Sequence, residues 1–467
     1  MNPLKSPAKN FRPNCLSVED VFFGDSGKGS VVAKFNEILG QHNKKLVSLR
    51  FNGGGNAGHE TKVYGKTVVT HQLPTGIIKE NCTAIISRCM LIHPEDLLTE
   101  IAEVKKTLGG SLPGNLLIDD RVTLSLDTHR ALESALNSVT TGGKGSTGRG
   151  IATGYASHYE RISVTMKDLL ENDWQDTFGK HYDLYAKFLV GFGKEFNLEN
   201  VLVATYGKDK RSKRAVGTRA EFLDRLAFAK AKVKKYVSDE IFDLLSTAWR
   251  NSSTPITLEG AQGAGLDPYH GVYPDITASR PTSRSINDAT YNIILPENIS
   301  VRVAVMKTTY MSSVGKRVLP DQKNETTEKW IQEAFDEKGR STGRLRDIYS
   351  VSIPIAQYLR RAAGFNYVVA THLDASKVDV PITVINYYID KATGAKKPYM
   401  PYQDELDQLK AHTTSFKGWD GEQVKTIKTP AKLPSTAKTY LAFISKNIAP
   451  VLMATTGPDL NDYLLFN

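Results

Sequence analysis

The chain has 467 residues, 40% hydrophobic and 24% charged, and a formal net charge of +10. That composition suits a globular protein with a sizeable core, and no apolar run approaches the roughly 18 residues that span a bilayer. Three cysteines, Cys15, Cys82 and Cys89, exclude a disulfide framework and fit a reducing, cytoplasmic location.

Residues 1–15 are polar, basic and proline-rich, without the apolar centre of a secretion signal, and read as a mobile leader. Residues 16–467 show no repeat and no long linker, and read as one large domain. Ser17–Phe23 predicts a strand that runs into the glycine-rich stretch FFGDSGKGS, Phe22–Ser30, and then a helix. Strands are also expected at Leu46–Phe51, Thr83–Ser87, Pro255–Gly260, Val301–Lys307, Tyr367–Leu373, Ile382–Tyr388 and Val451–Thr455. Helical periodicity marks His93–Leu108, Arg219–Val237 and Val351–Phe365. This alternation predicts an α/β fold with a large, mostly parallel central sheet flanked by helices. The basic run Tyr206–Arg219 has no interleaved aromatic residues and reads as a solvated loop, so nucleic acid is not an expected partner.

Six polar, glycine-rich segments fall where strands should end, and parallel sheets bind ligands at those ends. In the first, Gly24, Gly27 and Gly29 let backbone approach phosphate, and Lys28 neutralises its charge. The spacing is not that of a Walker A loop, because Gly29 follows Lys28 where a hydroxyl residue is required. An acid inside a phosphate loop is repelled by its ligand unless, like Asp25, it holds Mg²⁺ or removes a proton. The second segment, NGGGNAGHE, carries His59, a loop imidazole able to donate a proton to an oxygen gaining charge. Asp25 and His59 together suit removal of N1–H from a 6-oxopurine, attack of its O6 on a nucleoside triphosphate, and displacement of the new phosphate by an amine. In KGRSTGRLR, Arg344 and Arg346 beside Ser341 and Thr342 suit a carboxylate ligand.

In order and content these segments resemble the adenylosuccinate synthetase family, whose members join aspartate to IMP at the expense of GTP. GDSGKGS, GGGNAGHE, GSTGRGIATGY, EGAQG followed by HGVYPDIT, STGRLR, THLD and TTGP carry the resemblance from about Val18 to Asp459. It implies a P-loop-related fold with smaller helical and antiparallel subregions, and Mg²⁺, IMP, GTP and L-aspartate as cofactor and substrates. By position, Asp25 is implied as base and metal ligand, with the Gly58 carbonyl completing the metal site and His59 as the acid. Lys28 and Gln262 join these as catalytic residues. Asn56, Thr147, Arg161, Gln262, Thr277 and Arg346 are implied to hold the purine nucleotide, Arg161 across a homodimer interface. Ser341, Thr342, Arg344 and Arg346 correspond to the aspartate pocket. Gly24, Ser26, Gly27, Lys28, Gly29, Asp374, Thr455, Thr456 and Gly457 correspond to the GTP site.

The match departs from the family's pattern around the first loop and the guanine pocket. Ser26 stands for a glutamate, Ser30 for a lysine, Ala33 for an aspartate and His372 for a lysine, and Asp347 ends an arginine run early. These departures leave ATP open as donor. They also leave open synthesis of 2-aminoadenylosuccinate from GMP or dGMP, as made by viral relatives, and a paralogue that binds purine nucleotides without turnover.

Overall fold

The computed structural model describes residues 13–140, 146–193, 196–206, 212–313, 315–321, 325–335, 337 and 345–466. Most of the expected leader, residues 207–211 of the basic run, and the implied aspartate-pocket residues Ser341, Thr342 and Arg344 lie outside them. The central sheet has ten strands, numbered here in chain order: β1 (Cys15–Asp20), β2 (Leu46–Arg50), β3 (Cys82–Ile86), β4 (Asn115–Asp119), β5 (Val237–Ser238), β6 (Ile256–Glu259), β7 (Val301–Lys307), β8 (Tyr367–Thr371), β9 (Val451–Thr455) and β10 (Tyr463–Leu465). Their spatial order is β5-β4-β3-β2-β6-β1-β7-β8-β9-β10. Only the last pair, β9 and β10, is antiparallel.

Every residue of β1, β2, β6 and β9 is buried. Such runs arise when helices cover both faces of a parallel sheet, which is why these strands read as continuous apolar stretches rather than alternating ones. The helix Lys28–Gly40 packs Val31, Val32 and Phe35 against Leu16, Val18, Val303 and Val305 on one face. Helices Ile353–Ala363 and Ser435–Asn447 pack against the other face through Ala356, Leu359, Leu441 and Ile444.

Several expected boundaries move. The first strand stops at Asp20, not Phe23, because the Asp20 carboxylate takes up the backbone amides that a longer strand would give to its neighbour. Cys15, expected at the end of the leader, is the first residue of β1. The helix expected over Arg219–Val237 ends at Val233, and Val237 instead joins the sheet edge as β5. The strand expected over Ile382–Tyr388 forms over Ile382–Asp390, outside the central sheet and antiparallel to Leu409–Phe416 in a separate small sheet.

Glu19 sits in the middle of β1, buried, and neither carboxylate oxygen has a hydrogen-bond partner of good geometry among the described residues. Burial pushes its carboxyl up to about 8, with Ser283 and Arg302 offsetting only part of that. The folded protein therefore keeps a proton that the unfolded chain releases near pH 4 to 5, and stability falls as pH rises across the window up to about 8. Glu19→Gln should remove that dependence. Denaturant unfolding at about pH 8 should find the variant more stable than wild type by about 1–3 kcal/mol, with the gap closing towards about pH 5.

Candidate functional site

The loops after β1, β2, β6, β7, β8 and β9 leave the sheet at one edge, because parallel strands carry all their carboxyl ends to the same side. Together with segment 146–153 they surround a cavity of about 980 Å³.

The loop after β1 wraps around Asp20. The carboxylate accepts from the amides of Phe22 (3.0 Å), Gly24 (3.2 Å) and Ser26 (3.1 Å), and Lys28 Nζ lies 3.5 Å away. The Thr371 hydroxyl, at the end of β8, donates to the Ser26 carbonyl at 2.8 Å and ties the loop to the far side of the sheet. Gly27 takes a left-handed turn (φ 88°) directly before the helix beginning at Lys28. A Cβ on Gly29 would lie 2.5 Å from Cβ of His59, so this glycine sets how closely the imidazole approaches the phosphate loop.

Asp25 is held on the cavity wall in a left-handed conformation (φ 61°). Its Oδ2 lies 2.5 Å from Nη2 of Arg346, whose Nη1 is 2.6 Å from Glu337 Oε2. Glu337 also accepts from Lys307 Nζ at 2.5 Å and from Tyr310 at 2.7 Å. Burial alone would raise the Glu337 carboxyl, but Lys307 and Arg346 overcome it and hold the group at about 2. A buried chain of charges, Lys307–Glu337–Arg346–Asp25, thus ends on the one carboxylate that is a third exposed.

His59 is buried, and its Nδ1 lies 2.5 Å from Glu259 Oε1 at the end of β6. Glu259 is fixed in turn by the Thr75 amide at 2.8 Å and the Thr75 hydroxyl at 2.7 Å. Burial pushes the imidazole below its ordinary range, with Glu259 opposing. Burial also works to raise the Glu259 carboxyl, but the His59 contact outweighs it and keeps the group ionised. The neutral ring therefore donates Nδ1–H to Glu259, and its buried Nε2 has no partner among the described residues.

Most sequence-predicted residues meet in this cavity. Gly24, Asp25, Gly27, Lys28 and Gly29 line it from the first loop, and Asn56, Gly58 and His59 from the second. Thr147, Gln262, Thr277 and Arg346 line another part, and Asp374, Thr455 and Gly457 a further one. Gln262 is oriented by the Ser279 hydroxyl, which donates to its Oε1 at 3.0 Å. Burial raises the Asp374 carboxyl to about 6 and, helped by Lys307, lowers the His372 imidazole to about 4.

Among the described residues, three of the predicted ones do not line the cavity. The Ser26 side chain is buried because Asp20 draws its amide inward, and Thr456 is buried with its amide on the Asp462 carbonyl at 3.0 Å. Arg161 is exposed just beyond the helix Ile151–Tyr159. Sequence reasoning missed Asp20, Glu259, Glu337 and Lys307. Glu259 was visible as the first residue of EGAQG, whereas Glu337 had no local signal, its partners lying 9 to 30 residues away.

Asp25 and Gly58 both line the cavity, and a carboxylate with a backbone carbonyl is the hard-oxygen donor type that Mg²⁺ takes. His93, Glu95 and Asp127 also cluster, within 4.8 Å of one another. Arg214 already pairs with Glu95 at 2.6 Å and Asp127 at 2.7 Å, and Arg130 with Asp127, so this second group is an ion-pair network with its charge satisfied.

The family pattern for adenylosuccinate synthetase matches residues 18–464. The chain belongs to the adenylosuccinate synthetase family. It is thereby an enzyme of that type, a carbon–nitrogen ligase of purine biosynthesis. It is 30% identical over 443 residues to adenylosuccinate synthetase from Chlorobium luteolum, covering 93% of this chain and 94% of that one. The Koribacter versatilis adenylosuccinate synthetase is 29% identical, with 94% and 92% covered. Among solved structures, the fully ligated Plasmodium falciparum adenylosuccinate synthetase superposes with a TM-score of 0.81 at 23% identity, covering 97% of this chain and 100% of that one. The cyanophage S-2L succinoaminodeoxyadenylate synthetase, bound to dGMP and to dATP as energy donor, gives 0.55 at 17% identity, covering 97% and 95%. These two likenesses concern the fold. Among the described residues, no helix of the enzyme is long and apolar enough to cross a membrane.

Proposed function

We propose that the enzyme joins L-aspartate to C6 of IMP, with GTP activating the C6 oxygen as a phosphate ester. The observation that carries this reading is the placement of Asp25, His59 and Gln262 on one cavity with the Lys28 phosphate loop. Oxygen at C6 is a poor leaving group, and phosphorylation makes it a good one. Asp25 takes the N1 proton, and the electron pair moves to O6. O6 bonds to the terminal phosphorus of the donor, releasing the nucleoside diphosphate. The aspartate amine then bonds to C6, and inorganic phosphate leaves. The donor's polyphosphate, arriving beside His59, favours the imidazolium that burial disfavours in the free enzyme, so that Nε2–H can donate to the oxygen in transfer. Mg²⁺ held by Asp25 and the Gly58 carbonyl would neutralise phosphate charge.

Asp374 supplies acceptors for the N–H groups of guanine. Taking the N1 proton neutralises Asp25 and weakens its pair with Arg346, which frees Arg346 to meet the aspartate carboxylate together with Arg344. A second copy of the chain contributes Arg161 to the nucleotide phosphate, which is consistent with its exposure here.

A second reading has GMP or dGMP as acceptor with ATP or GTP as donor, and its ATP form is favoured by His372. At the position of a family lysine it puts an uncharged ring beside Asp374. Mass spectrometry of reactions containing aspartate, Mg²⁺ and IMP, GMP, dGMP or XMP, each with GTP or ATP, separates the readings. The proposal predicts a succinyl-nucleotide from IMP with GTP as the main product. Product from dGMP but not IMP would replace it by the second reading, and nucleotide binding without product under every pairing would show a non-catalytic paralogue.

A further inference from the structure

Lys34 is a fully buried lysine on the helix Lys28–Gly40, outside the machinery described above. Its Nζ donates to the Ser30 hydroxyl, one turn earlier on the same helix, at 3.1 Å, and to the Asp459 carbonyl at 2.6 Å. Those two partners belong to two separate segments of the cavity's walls. Ser30 lines it beside the phosphate loop, and Asp459 directly follows Gly457 and Pro458, which line it beside Asp374. Asp459 is itself anchored, through its carboxylate to Lys62 at 3.3 Å and through its amide to Asp462 Oδ2 at 3.1 Å. Asp462 also accepts the Thr456 amide through its carbonyl. The ammonium therefore ties the helix that follows the phosphate loop directly to the loop Thr455–Asp459.

The sequence around it has a matching departure. Ser30 stands where the family has a lysine, and Lys34 brings an ammonium back to the Ser30 hydroxyl from i+4, the spacing at which helix side chains meet. A buried ammonium is costly unless its protons are bonded, so conserving the tie requires both acceptors.

We propose that Lys34 is a positioning residue for the donor nucleotide, fixing the distance between the phosphate loop and the loop Thr455–Asp459. This rests on the reading above that the donor spans those two segments. The groups around Lys34 are the carboxylates of Asp459 and Asp462, the ammonium groups of Lys62 and Lys428 that pair with them, and the His372 imidazole. Burial lowers the Lys34 ammonium to about 8, with Asp462 and Asp459 opposing. Loss of its proton removes the charge from the tie, so donor affinity falls as pH rises through that value.

The test is calorimetric titration of the full chain with non-hydrolysable GTP and ATP analogues between about pH 7 and pH 9. Lys34→Met should weaken the preferred analogue roughly tenfold at about pH 7 and leave IMP affinity within about twofold. It should also flatten the fall in affinity seen in wild type. Adding Ser30→Lys to Lys34→Met should restore most of the loss. Unchanged analogue affinity in Lys34→Met, or a pH dependence that persists in it, overturns the role. If Lys34→Met does not fold, a flat wild-type profile overturns it and a falling one, with rescue in the double variant, supports it. Absence of any analogue binding by wild type removes the donor reading itself, and this role with it.

Discussion

Asp25→Asn should reduce turnover by a factor of about 10³ or more while leaving nucleotide binding within severalfold. The substitution keeps the side chain's shape and removes only its charge and basicity. No other carboxylate of the first loop can replace it, because Asp20 is fully occupied by three backbone amides and Lys28. The fold should tolerate the change: Asp25 is a third exposed, so losing its pair with Arg346 costs about 1 kcal/mol or less, while Glu337 still satisfies the guanidinium. Initial rates of succinyl-nucleotide formation, with calorimetric titration of IMP on the same preparation, read the two quantities separately. A variant retaining more than about a tenth of wild-type activity would remove Asp25 from the role of base.

His59→Ala and Glu259→Gln should each lower kcat by roughly 10²-fold or more with little change in KM for the purine nucleotide. The reason lies in the order of the contacts. Glu259 sets the ring's tautomer through Nδ1 and is held in place by Thr75, so Nε2 is the only ring atom left to face a ligand. A carboxamide at position 259 can donate as well as accept, which loses control of the tautomer and removes the charge that supports an imidazolium. Because Glu259 is buried against Arg50 as well, its substitution should also destabilise the protein, by about 3–5 kcal/mol if Arg50 is left uncompensated. Thermal unfolding of Glu259→Gln beside its kcat distinguishes the two effects, since His59→Ala should lose activity without the same loss of stability. Equal rates for wild type and His59→Ala would exclude the imidazole from phosphoryl transfer.

Which parts were readable from sequence follows from the range of the interactions involved. The strands of the sheet's centre are short runs of buried apolar residues, a local signal, and Leu46–Arg50, Ile256–Glu259 and Val451–Thr455 form where they were expected. The glycine loops were readable because backbone that must approach a ligand or a neighbour closely needs glycine, as Gly29 does against His59. What escaped was carried by long-range partners. The strand Asn115–Asp119 was missed although it pairs with β3 through four residues, and Val237 was read as helix because its sheet partner, Ile118, is far away in sequence. The same holds within the site: Asp25 and His59 sit in glycine loops that announce them, whereas Glu337 acts through residues brought to it only by the fold. Ser26 shows the converse case. Its motif position implies a ligand contact, whereas its side chain is buried and its amide donates to the Asp20 carboxylate six residues earlier.

The proposed reaction requires the C6 oxygen of the purine to leave as phosphate, and isotope tracing reads that transfer at the atom itself. IMP labelled with oxygen-18 at C6 should be converted with GTP and aspartate, and the released inorganic phosphate examined by mass spectrometry. One labelled oxygen is expected in every phosphate formed. Unlabelled phosphate, accompanied by product, would mean that the donor activates some other atom and would contradict the mechanism drawn from Asp25 and His59.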